Sequence, residues 1–307
     1  MTASTLRRPL RALAGVLTAL ACAFGLSACV TNEETGHPEG WEEITPPADP
    51  QVQALVPEEI AARGSISIGT NPPFAPFEFK DSQGNIIGFE MDLAAAVASV
   101  MGLDLEIRQQ DFAMILPAIN GGTIDFGATG FTDTEERRQG FDFIDHLYAG
   151  IQWAQQSGEP PVDPDHACGL TVAVQRTTVA ETDDVRPKSA ECEARGEKPI
   201  EILSYETADQ AATALVVGRA DALSADSPIT AWAIERADGK ITTTGEVFAA
   251  APYGFATPKG SQLTDAIAAA MQVLIDSGDY ERILAQWNIT DGLVDQALIN
   301  EEPADIR

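Results

Sequence analysis

Residues 117–130 read PAINGGTIDFGATG, and this stretch decides the fold. An apolar segment typical of a helix leads to Gly122, Asp125 follows three residues later, and a short apolar run typical of a strand comes next. The same layout returns in ATALVVGRADALSAD, residues 212–226, with a glycine and an aspartate in the matching places. The repetition predicts two similar structural units, although helix–glycine–strand joints are common enough for it to be coincidental.

Each copy ends on a candidate contact residue, Gly130 in the first and Asp226 in the second. Strand and helix patterns also alternate along the chain from SISIGT (65–70) onward, which predicts an α/β fold with mostly parallel strands. In open α/β sheets, ligands bind at the carboxyl ends of the strands. We therefore expect a ligand site between the two units.

The first unit runs on into FTDTEERRQG, residues 131–140. Thr132 and Glu135 fit the capping box that opens a helix, and the unpaired N–H groups of a helix start attract anions. Arg137 lies about one turn inside, where its guanidinium can hold a carboxylate by two parallel hydrogen bonds. The alternative is that Arg137 and Arg138 pair with neighbouring acidic side chains on a solvated helix face.

Asp226 offers the carboxylate that an amine receptor needs on the opposite side of the site. Its alternative role is to cap the helix predicted to begin at Ser227 and Pro228. A cleft with an arginine on one wall and an aspartate on the other is what a zwitterionic amino acid requires.

The first residues are typical of an export signal. Three arginines precede an apolar run at residues 12–25, which is too short to span a bilayer. The sequence LSAC (26–29) then resembles a bacterial lipobox, so we expect cleavage of residues 1–28 and lipid attachment at Cys29. The alternative is an ordinary signal sequence followed by a chance cysteine.

The segment after the predicted cleavage site is rich in Glu and Pro and lacks hydrophobic periodicity. We expect residues 29–62 to contain the lipidated cysteine and a disordered tether. The whole chain carries a formal net charge of -28. This charge argues against nucleic-acid binding, which needs basic surface to meet phosphates.

Cysteine usage also depends on the predicted export. In an oxidising compartment thiols pair, so we expect Cys168 and Cys192 to form a disulfide, with two free buried thiols as the alternative. The three histidines, His37, His146 and His166, show no ligand spacing with the cysteines, so no metal site is expected.

The order and spacing of several motifs resemble family 3 of the bacterial solute-binding proteins, which deliver polar amino acids to ABC importers. The resemblance covers about residues 63–290 and is carried by SISIGTNPPFAPFEFKDSQGNIIGFEMDLAAAVA, DFAMILPAINGGTIDFGATGFTDTEERRQGFDFIDHLY, LTVAVQRTTVAE, VVGRADALSADSP, PYGFATPKG and DYERILAQWN. It implies the type II periplasmic-binding-protein fold, in which two α/β lobes are joined by two hinge strands. Lobe 1 would comprise 63–152 plus 252–303, and lobe 2 would comprise 153–251.

The resemblance assigns a role to each residue at the predicted strand ends. Arg137 matches the arginine that grips the ligand α-carboxylate, and Arg138 is then assigned to the surface. Gly130 and Thr132 match residues beside it that supply a carbonyl and a hydroxyl. Asp226 matches the aspartate that takes the ligand α-amine.

Two aromatic side chains in the matched motifs, Phe74 and Phe112, correspond to walls of the side-chain pocket, with core packing as the alternative reading. The chain departs from the family after the strand VAVQ, where many members have Gly-Thr-Thr. Here Thr178 keeps a hydroxyl, whereas Val179 lacks the second one.

A further departure concerns the ligand side chain. Several relatives carry an aspartate where this chain has Asn71, which removes a fixed negative charge. Gln175 and Arg176 would lie near the distal end of the ligand, where an arginine allows an acidic side chain. We therefore expect a neutral or acidic amino acid rather than a basic one.

The resemblance implies an extracytoplasmic lipoprotein on the outer face of the cell membrane, working as a monomer with ABC permease subunits and no cofactor. One alternative is an enzyme on the same fold, similar to cyclohexadienyl dehydratase, but no acid–base set accompanies the matched motifs. Another is a ligand-sensing receptor domain, which we do not expect because no second apolar span follows the matched region.

Overall fold

The computed structural model describes residues 36–304. The predicted signal sequence (1–28) and the lipid attachment residue Cys29 lie outside these residues. Strands and helices alternate through the described part, which confirms the α/β class. Within it, no helix combines the length and the apolar character needed to cross a membrane.

The described residues form strands and helices of ordinary length, together with two unusually long strands. The strands are β1 (Ser65–Thr70), β2 (Phe79–Lys80), β3 (Ile86–Ile87), β4 (Asp104–Gln109), β5 (Phe126–Thr132), β6 (Phe141–Gln156), β7 (Thr171–Gln175), β8 (Glu201–Tyr205), β9 (Ala222–Asp226), β10 (Ile241–Pro258), β11 (Leu298–Ile299) and β12 (Glu302–Pro303). The α-helices are α1 (Pro50–Gln53), α2 (Glu58–Arg63), α3 (Phe89–Met101), α4 (Phe112–Asn120), α5 (Arg186–Ala194), α6 (Ala208–Val216), α7 (Ser227–Arg236), α8 (Gln262–Ser277) and α9 (Asp279–Gln286). Two 3-10 turns cover Arg137–Gln139 and Pro164–His166, and a π-helical turn, Ala180–Val185, runs into α5.

The main sheet has the strand order β4-β1-β5-β10-β6-β9-β7-β8. In one half, β1 is parallel to β4 and β5, and in the other half β7 is parallel to β8 and β9. The long strands β6 and β10 pair antiparallel with each other; β10 also pairs with β5, and β6 with β9. Two parallel sets of strands are therefore joined by one antiparallel pair.

The repeat found in the sequence has the same hydrogen bonding in both copies. Gly122 and Gly218 take left-handed conformations, with φ of 64° and 73°, which glycine adopts without strain. Asp125 and Asp221 each accept a backbone N–H bond from the neighbouring parallel strand, β1 or β7, at 2.7 Å and 2.8 Å. The prediction of two similar units is confirmed, and each unit ends on a strand that runs parallel to its neighbour.

The helix predicted to begin after Thr132 is absent, so the capping-box interpretation is wrong. β5 continues through Thr132, which pairs with Tyr253 of β10. The chain then makes only the short turn Arg137–Gln139, whose first N–H donates to Oγ1 of Thr134 at 3.2 Å. Because sheet pairing keeps Thr132 extended, Thr134 caps the turn in its place.

The acidic, proline-rich segment before β1 differs from the predicted free tether. Residues 36–62 lie against the body, and α1 contacts α3 and buries Val52. The side chain of Asp49 caps α1, and Nε1 of Trp41 donates to Asp92 on α3 at 2.7 Å. A few anchoring residues spaced through a polar segment do not change its average composition, which is why the sequence indicated disorder.

Helix α3 lies in the core between the sheet and helices α8 and α9. Ala94, Ala96 and Ala98 are at most 1% exposed, and their small side chains let the helix pack closely against its neighbours. The first turn of α3 carries Glu90, whose Oε2 accepts the backbone N–H of Gly130 at 2.8 Å. The packing of α3 therefore places a buried carboxylate beneath the end of β5.

Cys168 and Cys192 form a disulfide, as the exported character of the chain predicted. The bond ties the segment after the turn Pro164–His166 to α5 and closes a loop with a sequence separation of 24. Cys192 is 1% exposed and packs in a cluster of buried apolar side chains.

Replacing both Cys168 and Cys192 by serine is expected to lower the free energy of unfolding by roughly 3 kcal/mol, because the bond restricts the unfolded chain. Guanidinium unfolding followed by tryptophan fluorescence measures this loss. Wild-type protein reduced with dithiothreitol is the control and should lose a similar amount. A double-serine variant as stable as the oxidised wild type would contradict the prediction.

Candidate functional site

Two adjoining cavities lie between the carboxyl ends of β5 and β9. Together they bring all the predicted ligand-binding residues except Asn71 to one place in the fold. The first is lined by Phe74, Phe112, Gly130, Thr132, Arg137, Thr178, Val179 and Asp226. The second shares Phe74, Thr178 and Asp226 with the first and adds Gln175 together with small side chains such as Ala180 and Ser224.

The half-buried Arg137 lines the first cavity, and its guanidinium has only backbone partners among the described residues. Nη1 donates to the carbonyl of Thr132 at 2.8 Å, and Nη2 donates to the carbonyl of Thr177 at 3.4 Å. The group lies 5.8 Å and 5.6 Å from the ring centres of Phe112 and Phe131. Burial lowers the pKa of Arg137, and no carboxylate of residues 36–304 forms an ion pair with it, so the cavity holds a cation without a paired anion.

Arg138 points away from the cavity and is fully engaged in ion pairs. Nε and Nη2 meet the two carboxylate oxygens of Asp133 at 2.5 Å and 2.9 Å, and Nη2 also reaches Glu301 at 2.5 Å. The side chain is 22% exposed, so its assignment to the surface holds only in part. The two adjacent arginines differ in their contacts, because Arg137 faces the cavity and Arg138 binds Asp133 and Glu301.

Asp226 faces Arg137 from the end of β9. Its Oδ1 accepts a hydrogen bond from the hydroxyl of Tyr253 at 2.6 Å, and its side chain makes no capping bond to α7. Burial raises the pKa of Asp226 to about 6, although Tyr253 and Arg137 both favour the ionised form. The capping alternative is therefore not realised, and the carboxylate is free to accept from an ammonium group.

Gly130 at the end of β5 has a left-handed conformation, with φ of 59°. A Cβ at this position would lie 2.6 Å from Cε1 of Phe74, so a larger residue would push into the aromatic wall. Its N–H is used by Glu90, which in turn lies 3.0 Å from Nε2 of His146. Glu90 and His146 are both fully buried. The sequence signal that could have indicated the bond from Gly130 to Glu90 is an acidic residue within an otherwise apolar helix pattern.

Asn71 lies behind the second cavity and contacts it through Gln175. Its Nδ2 donates to the carbonyl of Gln110, and its Oδ1 accepts from Nε2 of Gln175, both at 2.8 Å. The Oε1 of Gln175 is buried and has no hydrogen-bond partner among the described residues. Thr178 uses its hydroxyl to donate to the carbonyl of Gln175 at 2.8 Å, which fixes the strand that carries this free acceptor.

Glu78 is a buried acid that the sequence analysis did not assign to the site. Its Oε1 accepts the hydroxyl of Thr129 and, at 3.4 Å, the backbone N–H of Asn71. Its Oε2 is buried and has no partner among the described residues. Burial, and then the nearby Glu90, raise the pKa of Glu78 well above its usual value. A cation near Asn71 would lower the pKa of Glu78 again, because it favours the ionised carboxylate.

Arg176 does not extend a free positive charge toward the ligand. Its Nη2 lies 2.5 Å from Glu206 and 4.0 Å from Asp111. The charge on which an acidic ligand would depend is thus already neutralised. Within residues 36–304, no group of His, Cys, Asp and Glu side chains is arranged to hold a metal ion.

Comparisons with known proteins agree with the geometry of the site. The family model of the bacterial extracellular solute-binding proteins, family 3, matches residues 66–290. The arginine-binding protein ArgT of Corynebacterium glutamicum is 63% identical over 96% of this chain and 97% of its own length. An L-arginine-binding protein of Pseudomonas aeruginosa is 29% identical over 72% of this chain and 79% of its own. A solved ancestral arginine-binding protein bound to arginine has a TM-score of 0.68 and 30% identity, over 73% of this chain and 98% of that one.

These relatives contradict the predicted preference for a neutral or acidic ligand. Both bacterial relatives are named for arginine, which is a basic amino acid. The prediction assumed that Asn71 reads the ligand directly and that Arg176 carries a free charge. In the structure, both ends of the Asn71 amide have protein partners, and Arg176 is paired. The two reasons for the preference are therefore removed.

The relatives also decide between binding and catalysis. A solved ancestral precursor of cyclohexadienyl dehydratase has a TM-score of 0.67 and 29% identity over 76% of this chain and 99% of that one, and it is itself an amino acid-binding protein. The curated relatives are binding proteins of amino acids. The chain is accordingly a binding protein and not an enzyme.

The matched residues extend from β1 to α9, and they include every residue named in the two cavities. The fold is the type II periplasmic-binding-protein fold that the resemblance implied. This chain belongs to the bacterial extracellular solute-binding proteins of family 3.

Proposed function

We propose that this chain is the substrate-binding lipoprotein of an ABC importer, and that it binds arginine in the cavities between the strand ends. The observation that carries the proposal is the pair of opposite charges in one cavity. Arg137 has no carboxylate partner within residues 36–304, and Asp226 faces it from the other side. An amino acid supplies a carboxylate to the first and an ammonium group to the second.

The α-carboxylate of the ligand would bind to Arg137 through two parallel hydrogen bonds. The backbone N–H groups near Thr178 and Val179, where the chain enters its helical turn, support the same negative charge. The α-ammonium group would bind to Asp226 and to the carbonyl of Gly130. Glycine at this position leaves room for a ligand to approach the backbone closely.

The cationic side chain of arginine suits the free acceptors at the far end of the site. Among the described residues, Oε1 of Gln175 on the second cavity and Oε2 of Glu78 behind Asn71 are both buried without a hydrogen-bond partner, and a guanidinium offers five N–H donors in a planar fork. The ring of Phe74 on the cavity wall favours a nearby cation. An acidic ligand would gain little from Arg176, which is already paired, and it would disfavour ionisation of Glu78, whose pKa is already raised.

Closure of two lobes would complete the site. We assign 63–152 plus 252–303 to lobe 1 and 153–251 to lobe 2, with β6 and β10 as the hinge strands. Arg137 then belongs to lobe 1 and Asp226 to lobe 2. A ligand that binds both residues stabilises the closed state more than the open state, which is the condition for a ligand-driven change.

Delivery of the ligand requires a location outside the cytoplasm and a membrane partner. We assign the lipid anchor to Cys29 on the sequence LSAC, and we expect a monomer on the outer face of the cell membrane that docks on ABC permease subunits. The net charge of -28 keeps such a domain soluble and self-repelling.

Arginine is expected to raise the melting temperature of purified residues 30–307 more than any neutral or acidic amino acid. A ligand at 100 times its Kd stabilises by about 2.7 kcal/mol, which differential scanning fluorimetry against the common amino acids detects. Glutamine and glutamate are controls of similar length with neutral and negative side chains. A larger shift with glutamate than with arginine would overturn the assignment of the ligand.

Arg137→Ala is expected to weaken arginine binding about 100-fold or more, since removing one partner of a buried charge pair costs about 3–5 kcal/mol. Isothermal titration calorimetry measures the change in Kd. Arg282→Ala is the matched control, because that side chain is 61% exposed and pairs only with Asp279 on its own helix. Equal affinities in the two variants would show that Arg137 does not bind the ligand.

Binding is expected to weaken as the pH falls through about 6. The ammonium group of the ligand needs Asp226 ionised, and the pKa of Asp226 in the free protein is raised to about 6. Below that pH a proton must leave on binding, so Kd rises by up to about tenfold per pH unit. Titrations from pH 8 to pH 5 measure this. Asp226→Asn should bind weakly at every pH, and its Kd should not rise further below pH 6. The same rise of Kd in this variant would show that a group other than Asp226 causes the pH dependence.

A further inference from the structure

The last described residues form a small hairpin that lies beyond the matched residues 66–290. We call residues 298–303 the C-terminal hairpin; it consists of β11, β12 and the turn between them. Asn300 and Glu301 in the turn have φ of 55° and 68°, a conformation that is uncommon for residues other than glycine. Ile299 pairs with Glu302, so Asn300 and Glu301 are the two residues of a tight hairpin turn, in which positive φ at both positions is favoured.

The C-terminal hairpin is docked on the first half of β6. Leu298 pairs with Asp145 in the ladder. Oδ1 of Asn300 accepts the backbone N–H of Phe143 at 3.0 Å, and the backbone N–H of Glu301 donates to Oδ2 of Asp145 at 2.8 Å. The side chain of Glu301 is therefore presented at a fixed place beside β6.

Glu301 there lies next to the segment that carries Arg137, the residue proposed to bind the ligand carboxylate. We call residues 133–140 the clamp loop. Glu301 lies 2.5 Å from Nη2 of Arg138, and the same guanidinium holds both oxygens of Asp133. The side chain of Asp133 is fully buried, and its backbone N–H donates to the carbonyl of Pro252 at 2.8 Å. The clamp loop is thus fastened at its start to β10 and across its middle to the C-terminal hairpin.

We propose that the C-terminal hairpin is a positioning element for the ligand clamp, in which Glu301 acts through Arg138 to hold Arg137 in place. Arg137 and Arg138 are adjacent, so a fixed Arg138 limits where the backbone of Arg137 can move. The clamp loop contains only a three-residue 3-10 turn, which has little stiffness of its own. The proposal rests on the proposed function for the identity of the ligand, but not for the mechanical link.

An isolated ion pair at the surface would be too weak to hold the loop, because water and salt screen the attraction between exposed charges. Here the pair is part of a network with the buried side chains of Asp133 and Asp145. Burial and the nearby Asp133 raise the pKa of Asp145 to about 8, so this group keeps its proton at neutral pH. The charge of Arg138 is then shared between Asp133 and Glu301, and loss of Glu301 removes half of its partners.

The test compares Glu301→Lys with Glu302→Lys, which makes the same change of charge on the adjacent exposed residue. Hydrogen exchange in the ligand-free proteins reports on the clamp loop, where the N–H groups of Arg138 and Gly140 bond to the carbonyls of Thr134 and Arg137. Exchange at these groups is expected to become about fivefold faster in Glu301→Lys and to stay unchanged in Glu302→Lys. Glu301→Gln is the milder variant if the lysine variant does not fold.

Calorimetry with L-arginine and L-argininamide gives the second readout, because the amide keeps the side chain and the ammonium group but lacks the carboxylate. Glu301→Lys is expected to weaken binding of arginine about tenfold, within the range for residues of one ion-pair network. Binding of argininamide should change less than twofold. A purely structural role would weaken both ligands equally.

Faster exchange in the clamp loop together with a selective loss of arginine binding would support the proposal. Equal exchange in the two lysine variants would overturn it, as would an equal loss for arginine and argininamide. If the wild-type protein binds no arginine, the proposed function fails, and the exchange data alone decide whether the C-terminal hairpin holds the clamp loop.

Discussion

Strands β6 and β10 pair along most of their lengths, from Ile241 opposite Gln156 to Pro258 opposite Phe141. Each half of the sheet is a parallel set that ends on this antiparallel pair. Because parallel strands of a repeated unit end at the same edge, the pair brings the two ends, at Gly130 and Asp226, to opposite sides of one cavity. Neither unit could bind a zwitterion alone, since one supplies the cation and the other the anion.

Two polar groups that line the cavities lack their full set of partners among the described residues. The guanidinium of Arg137 donates there only to backbone carbonyls, and Oε1 of Gln175 has no hydrogen-bond partner. Buried groups in this state destabilise the free protein. A ligand that satisfies them recovers that free energy on binding.

Much of the site could be predicted from the sequence, since short motifs fix residues at strand ends. The repeat located Gly130 and Asp226, and the family resemblance separated Arg137 from the neighbouring Arg138. What the sequence could not supply were contacts between distant segments. Glu301 meets Arg138 from 163 residues away, and Arg176 is neutralised by Glu206 from a different strand–helix junction. Hydrophobic periodicity and local motifs contain no information on such pairs.

The wrong expectation about the ligand has the same origin. Asn71 stands where several relatives have an aspartate, so one negative charge is missing at this position. Judged from this position alone, the site disfavours a cationic ligand. The potential in a buried site is instead the sum over all charges that are poorly screened there. Glu78 accepts the backbone N–H of Asn71, so a second acidic side chain lies behind the amide. Its raised pKa favours the protonated form until a cation binds nearby. A cation in the cavity would favour ionisation of Glu78, and the amide of Asn71 and the side chain of Gln175 lie between the two. A basic ligand is therefore compatible with asparagine at this position, provided that the acid behind it stays buried.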